Sequence, residues 1–311
     1  MKIAVLGHPD SWYLRDLQRA AEQTRYEDLE LNAVAFTQIS ASVDPDSNRA
    51  SAFLSDTHDL LTFDAVLVRT MPPGSLEQVI FRMNALAMLE HPSGNTSKGY
   101  PPIILNSPRA IELAVDKYLS LALLRQNNIP IPRTHVCQHA DAAMQAYEQL
   151  GPDVVLKPLF GGEGRGITRV SDPALALRAF KMIEQFDGVI YQQEFIAHEG
   201  FDIRILVIGD NTFSIRRVNP DDWRTNISLG ARAEPFEASS ELIQLARQAA
   251  NVVQAKIAGV DILIAPDGTP TVLEVNAVPG WKGLAEATSK DIALEVLTFT
   301  IEQIASHRKK S

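Results

Sequence analysis

Short apolar runs alternate with amphipathic stretches through the first hundred residues, the pattern expected when a parallel sheet is buried beneath helices. Lys2–Leu6, Leu29–Phe36, Ala65–Arg69 and Ile103–Asn106 predict strands, with helices over Trp12–Thr24 and Ser75–Leu89. His91–Pro102 is polar and rich in Gly and Pro, which neither helix nor strand tolerates, and predicts a mobile connection. A helical stretch then runs from Ser107 to about Asn127, with Asp116 and Lys117 inside it, before Pro130 and Pro132 force an extended segment. The middle third changes style. Val154–Lys157 and Ile167–Val170 are short β-like runs joined by a long glycine-rich tip, and Asp172-Pro173 is an N-cap and first-turn pair for a helix through about Phe186. Strands follow at Gly188–Gln193, Asp202–Ile208, Thr212–Val218, Val260–Ala265 and Thr271–Asn276, then a C-terminal helix; no internal repeat stands out.

The chain has 311 residues, enough for two to three packed domains, and 45% of them are apolar. No run approaches the roughly 20 apolar residues needed to cross a bilayer, and Met1–Gly7 reads as a buried strand, not a signal peptide, so the expected location is the cytoplasm with no membrane partner. The single cysteine, Cys137, has no partner for a disulfide or a zinc site and reads as a small packed side chain. A net charge of −9 argues against nucleic acid as a partner. Ser306–Ser311 reads as a frayed, solvated tail. A homo-oligomer is compatible with all of this.

The most informative stretch is Gly259–Asn276. Asp267-Gly268 is a favoured two-residue hairpin turn, and pairing outward from it sets Pro266 against Thr269 and Asp261 against Glu274. Because side chains alternate, Asn276 shares their face. Cross-strand Cβ atoms lie about 4.5–5.5 Å apart, where two like charges repel, so something positive should lie between them. Two carboxylates and an amide oxygen without His or Cys form a hard oxygen site suited to Mg²⁺, with Mn²⁺ as an alternative. The competing reading is a solvated strand end whose acids find water or basic neighbours. A bulge in either strand would shift the partners.

The tip Phe160–Gly166 holds Gly161, Gly162, Gly164 and Gly166, which lets backbone N–H groups close on phosphate oxygens. It lacks the Gly-Lys-Ser/Thr of a Walker loop and leads into a strand, which excludes the P-loop and dinucleotide folds. Lys157, just before it, can reach a phosphate or snorkel to solvent. Arg216, Arg217 and Arg224 suit a transferring phosphoryl group and a substrate carboxylate, or else a surface ion-pair network with Asp221 and Asp222.

Taken in order, Asp116–Ser120, Val155–Pro158, Gly161–Gly166, Gln193–Ile196, Asp202–Arg204, Trp223–Asn226, Ala258–Leu263 and Leu273–Gly280 resemble the ATP-grasp superfamily, and within it the RimK-like α-L-glutamate ligases. The resemblance spans about Ser107 to Thr288. It implies a mixed α/β and α+β architecture, an ATP-grasp fold behind an N-terminal parallel-sheet domain. The expected division is 1–106, a central subdomain 107–187 carrying the glycine-rich lid, and a C-terminal subdomain 188–311 carrying the Mg²⁺ site. It further implies ATP as cosubstrate, Lys117 and Lys157 on its phosphates, Glu194-Phe195-Ile196 as the hinge that reads adenine through backbone groups, and Asp202 near the nucleotide. Asp261, Glu274 and Asn276 become the metal ligands, in agreement with the hairpin argument. Arg204, Arg224 and Asn226 face the γ-phosphate and the acyl intermediate.

The implied reaction is ATP-dependent amide formation through an acyl phosphate, joining an amino acid, glutamate above others, to a small-molecule or protein-tail carboxylate. The wording from Lys157 to Gly166 is nearest to relatives that glutamylate a coenzyme such as tetrahydromethanopterin. Ligases acting on an amino-group carrier protein or a dipeptide, and a catalytically silent ATP-binding regulator, are the rivals. The first hundred residues match only in layout. Met71-Pro72-Pro73 and Ser11-Trp12-Tyr13 lie at strand-to-helix turns where ligands often bind, and Arg69 at a strand end can pair with a substrate carboxylate; each also reads as packing or turn chemistry.

Overall fold

The computed structural model describes residues 1–24, 26, 28–43, 51–54, 58–92, 98–162 and 164–309. Its first unit comprises β1 (Lys2–Leu6), α1 (Trp12–Ala21), β2 (Glu30–Val34), β3 (Ile39–Ser42), β4 (Ser51–Leu54), β5 (His58–Asp59), β6 (Ala65–Val68), α2 (Leu76–Glu90) and β7 (Ile103–Leu105). Four of these strands form the expected parallel sheet in the order β2-β1-β6-β7. β1 and β6 read as continuous apolar runs because helices cover both faces, and Ile3–Leu6 and Ala65–Val68 are almost fully buried. Helix α1 begins where the Ser11 side chain accepts the Leu14 N–H at 3.1 Å, and it buries Leu14, Leu17 and Ala20 at helical spacing. A small antiparallel sheet, β3-β4-β5, was not expected; its strands are short and lack a sustained apolar alternation. Residues 93–97 of the connection predicted to be mobile lie outside the described residues. Its C-terminal flank is anchored, with Lys98 Nζ 2.6 Å from the buried Asp64 carboxylate.

The single helical stretch expected from Ser107 is two helices, α3 (Pro108–Val115) and α4 (Lys117–Gln126). Asp116 breaks the run: its backbone is extended (φ −82°, ψ 105°) and its carboxylate accepts the Leu119 N–H at 2.9 Å, so a local side-chain bond replaces the helical one. Lys117 thereby becomes the first residue of a helix instead of an interior one. The middle unit follows as β8 (Thr134–Cys137), α5 (Ala140–Leu150), β9 (Val154–Lys157), β10 (Thr168–Val170), α6 (Pro173–Gln185) and β11 (Ile190–Glu194). These strands make an antiparallel sheet, β10-β9-β11-β8, packed on α5 and α6 through Tyr147 and Phe180. The predicted hairpin is present, with Thr168 opposite Leu156. The boundary expected at residue 187 divides this sheet: β11 pairs with β8 and β9, because its alternating partners lie earlier in the chain.

The last unit contains β12 (Phe201–Ile208), β13 (Asn211–Val218), β14 (Arg232–Pro235), α7 (Ser240–Val252), β15 (Ile257–Ile264), β16 (Pro270–Asn276), α8 (Lys282–Thr288) and α9 (Ile292–Arg308). Its antiparallel sheet has the order β14-β13-β12-β15-β16. The first and last units are stapled by Asn106, whose amide donates to the carbonyls of Ile257 and Ala277 and accepts from the N–H groups of Lys256 and Ile257, filling its buried hydrogen-bonding capacity. The tail is not frayed over its described part. Helix α9 runs to Arg308, which reaches the Asp64 carboxylate at 2.8 Å, and Arg19 of α1 pairs with Asp291 at 2.7 Å. Three cations or donors around Asp64 (Lys98, the Lys2 N–H and Arg308) outweigh its burial and hold its carboxyl well below the usual range. Among the described residues no helix is long and apolar enough to cross a membrane.

Candidate functional site

Asp261 and Glu274 are direct cross-strand partners in the β15–β16 hairpin, and Asn276 faces Gly259 two rungs further on. The route to that register differs from the simple turn. Ala265 N–H bonds Thr269 O at 2.9 Å and Gly268 N–H bonds Ala265 O at 2.8 Å, so the loop is longer than two residues and pairing near it is displaced by one. A bulge between Asp261 and Ile262 leaves Leu273 unpaired and restores the expected partners. It also explains why Leu273 and Glu274, adjacent in sequence, both line the cleft while Val272 and Val275 enter the apolar core.

Asp261 sits in a buried charge cluster. Its Oδ2 lies 2.8 Å from Arg217 Nη2 and its Oδ1 3.4 Å from Arg204 Nη1. Arg217 also makes a two-pronged bond to Asp202. Burial works against the Arg217 charge, but the two flanking carboxylates more than offset it and hold its pKa above the usual arginine range. Arg204 lies over the Gly259 rung, where a Cβ would stand 2.6 Å from its Nη2; only glycine leaves it that space. Asp261 Oδ1 is enclosed yet accepts no hydrogen bond. Glu274 makes no ion pair among the described residues, and Asn276 Oδ1 is oriented by the Val278 N–H at 2.8 Å. An enclosed acid oxygen that accepts no hydrogen bond and has only Arg204 at 3.4 Å, beside a second carboxylate, fits a hard divalent cation. Among the described residues no three His, Cys, Asp or Glu side chains cluster as a metal site. Such an ion would therefore draw on the Asn276 amide and on ligand phosphates to complete its shell.

Asp202, Arg217, Asp261 and Glu274 form one wall of a cleft of about 670 Å³, measured out to its mouth, between the β9/β11 and β12/β15/β16 faces, whereas Arg204, Asn276 and Lys117 lie outside its lining. Val155, Ile167, Leu263 and Leu273 supply apolar surfaces, a slot suited to a flat ring. Lys157 enters from β9, its Nζ donating to Gln193 Oε1 at 2.6 Å. Burial pushes its pKa down to about 8, against the pull of Glu274 and with a further push from Lys117. Burial lowers the Lys117 pKa as well, opposed by Glu274 and Asp116, and its Nζ holds the Gly161 carbonyl at 2.6 Å. The glycine-rich tip is thus tied to Lys117 at Gly161. Gly161, Gly164 and Gly166 have positive φ, and Gly164 is so close to Asn226 that a Cβ there would stand 2.5 Å from Oδ1. Around Gly162 that space is open. Glu163, in the same tip, lies outside the described residues.

At the hinge, the Glu194 N–H bonds Arg133 O and the Phe195 N–H bonds Asp153 O, which leaves the Ile196 amide, of the three, for a ligand. The Glu194 carboxylate turns away to Arg133 at 2.6 Å. Phe195 is clamped by the Arg169 guanidinium, 3.5 Å from its ring centroid, and by Trp223 edge-on. Arg224 lines the cleft but its Nη2 lies 2.5 Å from Asp222. The ion pair weighed as the competing reading for this segment is therefore present. Arg216 pairs with Glu234 on the surface, whereas Arg217, an immediate neighbour on the opposite face of β13, is the buried one. The strand parity of Arg217 against Asp202 could have singled it out. His198, which also lines the cleft, carried no motif signal, and burial lowers its pKa; Gln193, which lines it too, belonged to a matched motif but was given no role. Cys137 is capped on the His139 carbonyl at 3.6 Å and burial raises its pKa, consistent with an inert thiol.

A model of the RimK-like ATP-grasp domain matches residues 114–300, more than half of the chain. The chain is 30% identical over 302 residues to the tetrahydromethanopterin:alpha-L-glutamate ligase of Methanococcus maripaludis, covering 96% of this chain and 97% of that one. It is 32% identical over 218 residues to the alpha-aminoadipate–LysW ligase LysX of Saccharolobus solfataricus, covering 68% and 77%. The fold superposes on that of the ATP-grasp ligase PsnB, solved with a phosphomimetic variant of its minimal precursor, Mg and ADP, with a TM-score of 0.70, 24% identity and coverage of 97% and 98%.

Proposed function

The chain belongs to the RimK-like ATP-grasp family, and from that membership we propose that it joins L-glutamate through its amine to the carboxylate of a coenzyme of the tetrahydromethanopterin kind or of a protein tail, in the cytoplasm. As an ATP-dependent C–N ligase it has to make a poor electrophile reactive. A carboxylate cannot expel oxide, so one of its oxygens attacks the γ-phosphorus of ATP, the bond to the β,γ-bridging oxygen breaks, and ADP leaves. The amine then forms a bond to the acyl carbon, the C–O bond to phosphate breaks, and phosphate departs as the nitrogen loses its proton.

The observation that carries this reading is the meeting of Asp261, Glu274 and Lys157 in one cleft whose lining residue Asn226 abuts Gly164 of the glycine-rich tip. Mg²⁺ held by Asp261, Glu274 and Asn276 would disperse charge on the transferring phosphoryl group. Lys117 and Lys157 bind the phosphates; burial lowers both pKa values, and an arriving anion would favour the charged forms. The hinge reads adenine through the Ile196 amide and the Glu194 carbonyl, with Asp202 holding Arg217 in place beneath it. Arg204 stabilises the acyl phosphate electrostatically, since an arginine stays protonated and cannot act as a base. Arg224 joins it when it exchanges Asp222 for the phosphoryl group. Asn226, against Gly164, couples lid closure to that region and so excludes water from the acyl phosphate.

A panel of acids and amino acids with Mg-ATP, scored by ADP release and product mass, tests the proposal. Addition of a glutamate mass to a pterin or a peptide tail is the expected result. ADP release only with a carrier protein would favour the second reading, suggested by the likeness to LysX. Nucleotide binding without ADP formation across the panel would refute a ligase and leave a regulator.

A further inference from the structure

The parallel sheet carries a second feature, remote from the phosphates. From β1 the chain passes to β2 on one side and later resumes at β6 on the other, so the crevice beyond the carboxyl ends of β1 and β6 is the switch point where open α/β sheets bind ligands. Gly7 follows β1 and Arg69 follows β6; a Cβ on Gly7 would meet only Arg69 Cβ, at 3.7 Å, so the crevice floor is open. Arg69 is 8% exposed, yet no carboxylate pairs with it among the described residues. Its Nη2 donates to the Pro279 carbonyl at 2.6 Å and its enclosed Nε bonds nothing. The guanidinium is fixed against Trp281 and Tyr13, 4.2 and 5.2 Å from their ring centroids.

Arg217 is buried to the same degree with two carboxylates for company. Arg69 has none, and burial alone pushes its pKa down to about 10. A planar cation held rigid, with N–H donors unused, matches a carboxylate. The N-terminus of α1, which carries no acid in its first turn, adds positive potential. Pro279-Gly280-Trp281 follows closely on Asn276, and Gly280 admits the Tyr13 hydroxyl, 2.4 Å from where a Cβ would stand, so the crevice adjoins the end of β16 where phosphoryl transfer is placed above.

We propose that Arg69, in the crevice between β1 and β6, binds a substrate carboxylate that the reaction leaves intact, the α-carboxylate of the incoming amino acid. The carboxylate to be phosphorylated has to reach the nucleotide cleft; a spectator carboxylate suits a cation on the other unit, aiming the amine across the gap. This rests on the ligase reading. Calorimetric titration of the twenty L-amino acids, and of the α-amides of those that bind, tests it on wild type, Arg69→Gln and Arg69→Lys, with and without Mg²⁺ and a non-hydrolysable ATP analogue. Wild type should bind one amino acid at least tenfold more tightly than its α-amide, Arg69→Gln should lose that preference, Arg69→Lys should keep part of it, and all three should bind the nucleotide analogue alike.

A preference that survives in Arg69→Gln, or no amino acid bound by wild type, overturns the inference. Loss of nucleotide affinity and thermal stability together with the preference overturns it too, by marking Arg69 as a packing residue. A raised KM for the acid substrate alone would assign the crevice to that substrate instead. Failure of wild type to bind the nucleotide analogue would strike the ligase reading, and is scored separately.

Discussion

Asp261 and Glu274 share a cleft and a proposed metal ion but differ in what else they touch, so changing each to its amide should separate two effects. In Asp261→Asn the lost charge lay 2.8 Å from Arg217, with both side chains 5% exposed. Deleting one partner of a buried ion pair costs about 3–5 kcal/mol when the other is left alone. Arg217 keeps Asp202, so the expected loss is smaller, about 2–3 kcal/mol. At roughly 2–4 °C per kcal/mol for a domain of this order, the melting midpoint should fall by about 5–10 °C. Glu274→Gln breaks no described ion pair but removes the charge that opposes burial of Lys157 and Lys117, so it should cost less than Asp261→Asn, about 1 kcal/mol.

Turnover should drop by at least about a hundredfold in both variants, since each would lose a charged ligand of the proposed metal ion. Mg·ADP at a hundred times its dissociation constant should stabilise the wild type by about 2.7 kcal/mol and both variants far less. Melting curves with and without Mg·ADP, with ADP release measured in parallel, read all of these. An Asp261→Asn protein that melts with the wild type would refute the charge-cluster energetics. Wild-type turnover in either variant would remove the metal site.

Two further predictions concern the phosphate end of the cleft. With Lys157 at about pKa 8 in the free protein, below its ordinary 10.5, the unfolded chain binds more protons between those values, so this group's penalty on the unliganded fold is full below pH 8 and fades towards pH 10.5. Phosphates favour the charged form, so nucleotide binding runs the other way: Mg·ADP affinity should weaken above pH 8, and at pH 8.5 calorimetry in buffers of different ionisation enthalpy should detect uptake of roughly three-quarters of a proton, whereas none at that pH would contradict the assignment. At the tip, Gly162→Ala meets open space and ordinary φ, so it should leave melting unchanged and weaken only nucleotide binding, while Gly164→Ala, with φ +73° and Asn226 in the way, should impair turnover even at saturating ATP. Equal behaviour of the two alanine variants in binding and rate assays would count against a closed tip seated on Asn226.

What the chain discloses by inspection is mostly local. Asp172-Pro173 starts a helix because cap and first turn are adjacent in sequence, and Asp267-Gly268 marks the last hairpin for the same reason. Where local signals agree on both sides of a break they hide it: Ser107–Asn127 is helix-forming throughout, and only the Asp116 side chain, competing for the Leu119 N–H, divides it. Helices α5 and α7 were not foreseen, since their buried faces are largely alanine (Ala140, Ala143 and Ala146; Ala246, Ala249 and Ala250) and contrast weakly with the polar faces. The docking of Arg308 on Asp64 spans 244 residues and has no local signature at all.

The charge cluster shows how far parity alone carries. Asp202 and Arg204 share a face of β12; the antiparallel register sets the first against Arg217 of β13 and the second against Asp261 of β15. None of these pairings can be read until the strand order is known, yet two acids facing each other across a hairpin already require a cation near Asp261. The arginines meet that requirement in the unliganded protein, which would make a metal superfluous if they satisfied both acids. They do not: Arg217 bonds one oxygen of Asp261, the other accepts no hydrogen bond, and Glu274 is left facing two lysines with depressed pKa values. The basic-neighbour reading and the metal reading are therefore not rivals. The arginines fix Asp261 in place, and what they leave unsatisfied is one enclosed oxygen beside a free carboxylate, which a divalent cation arriving with a triphosphate can bridge.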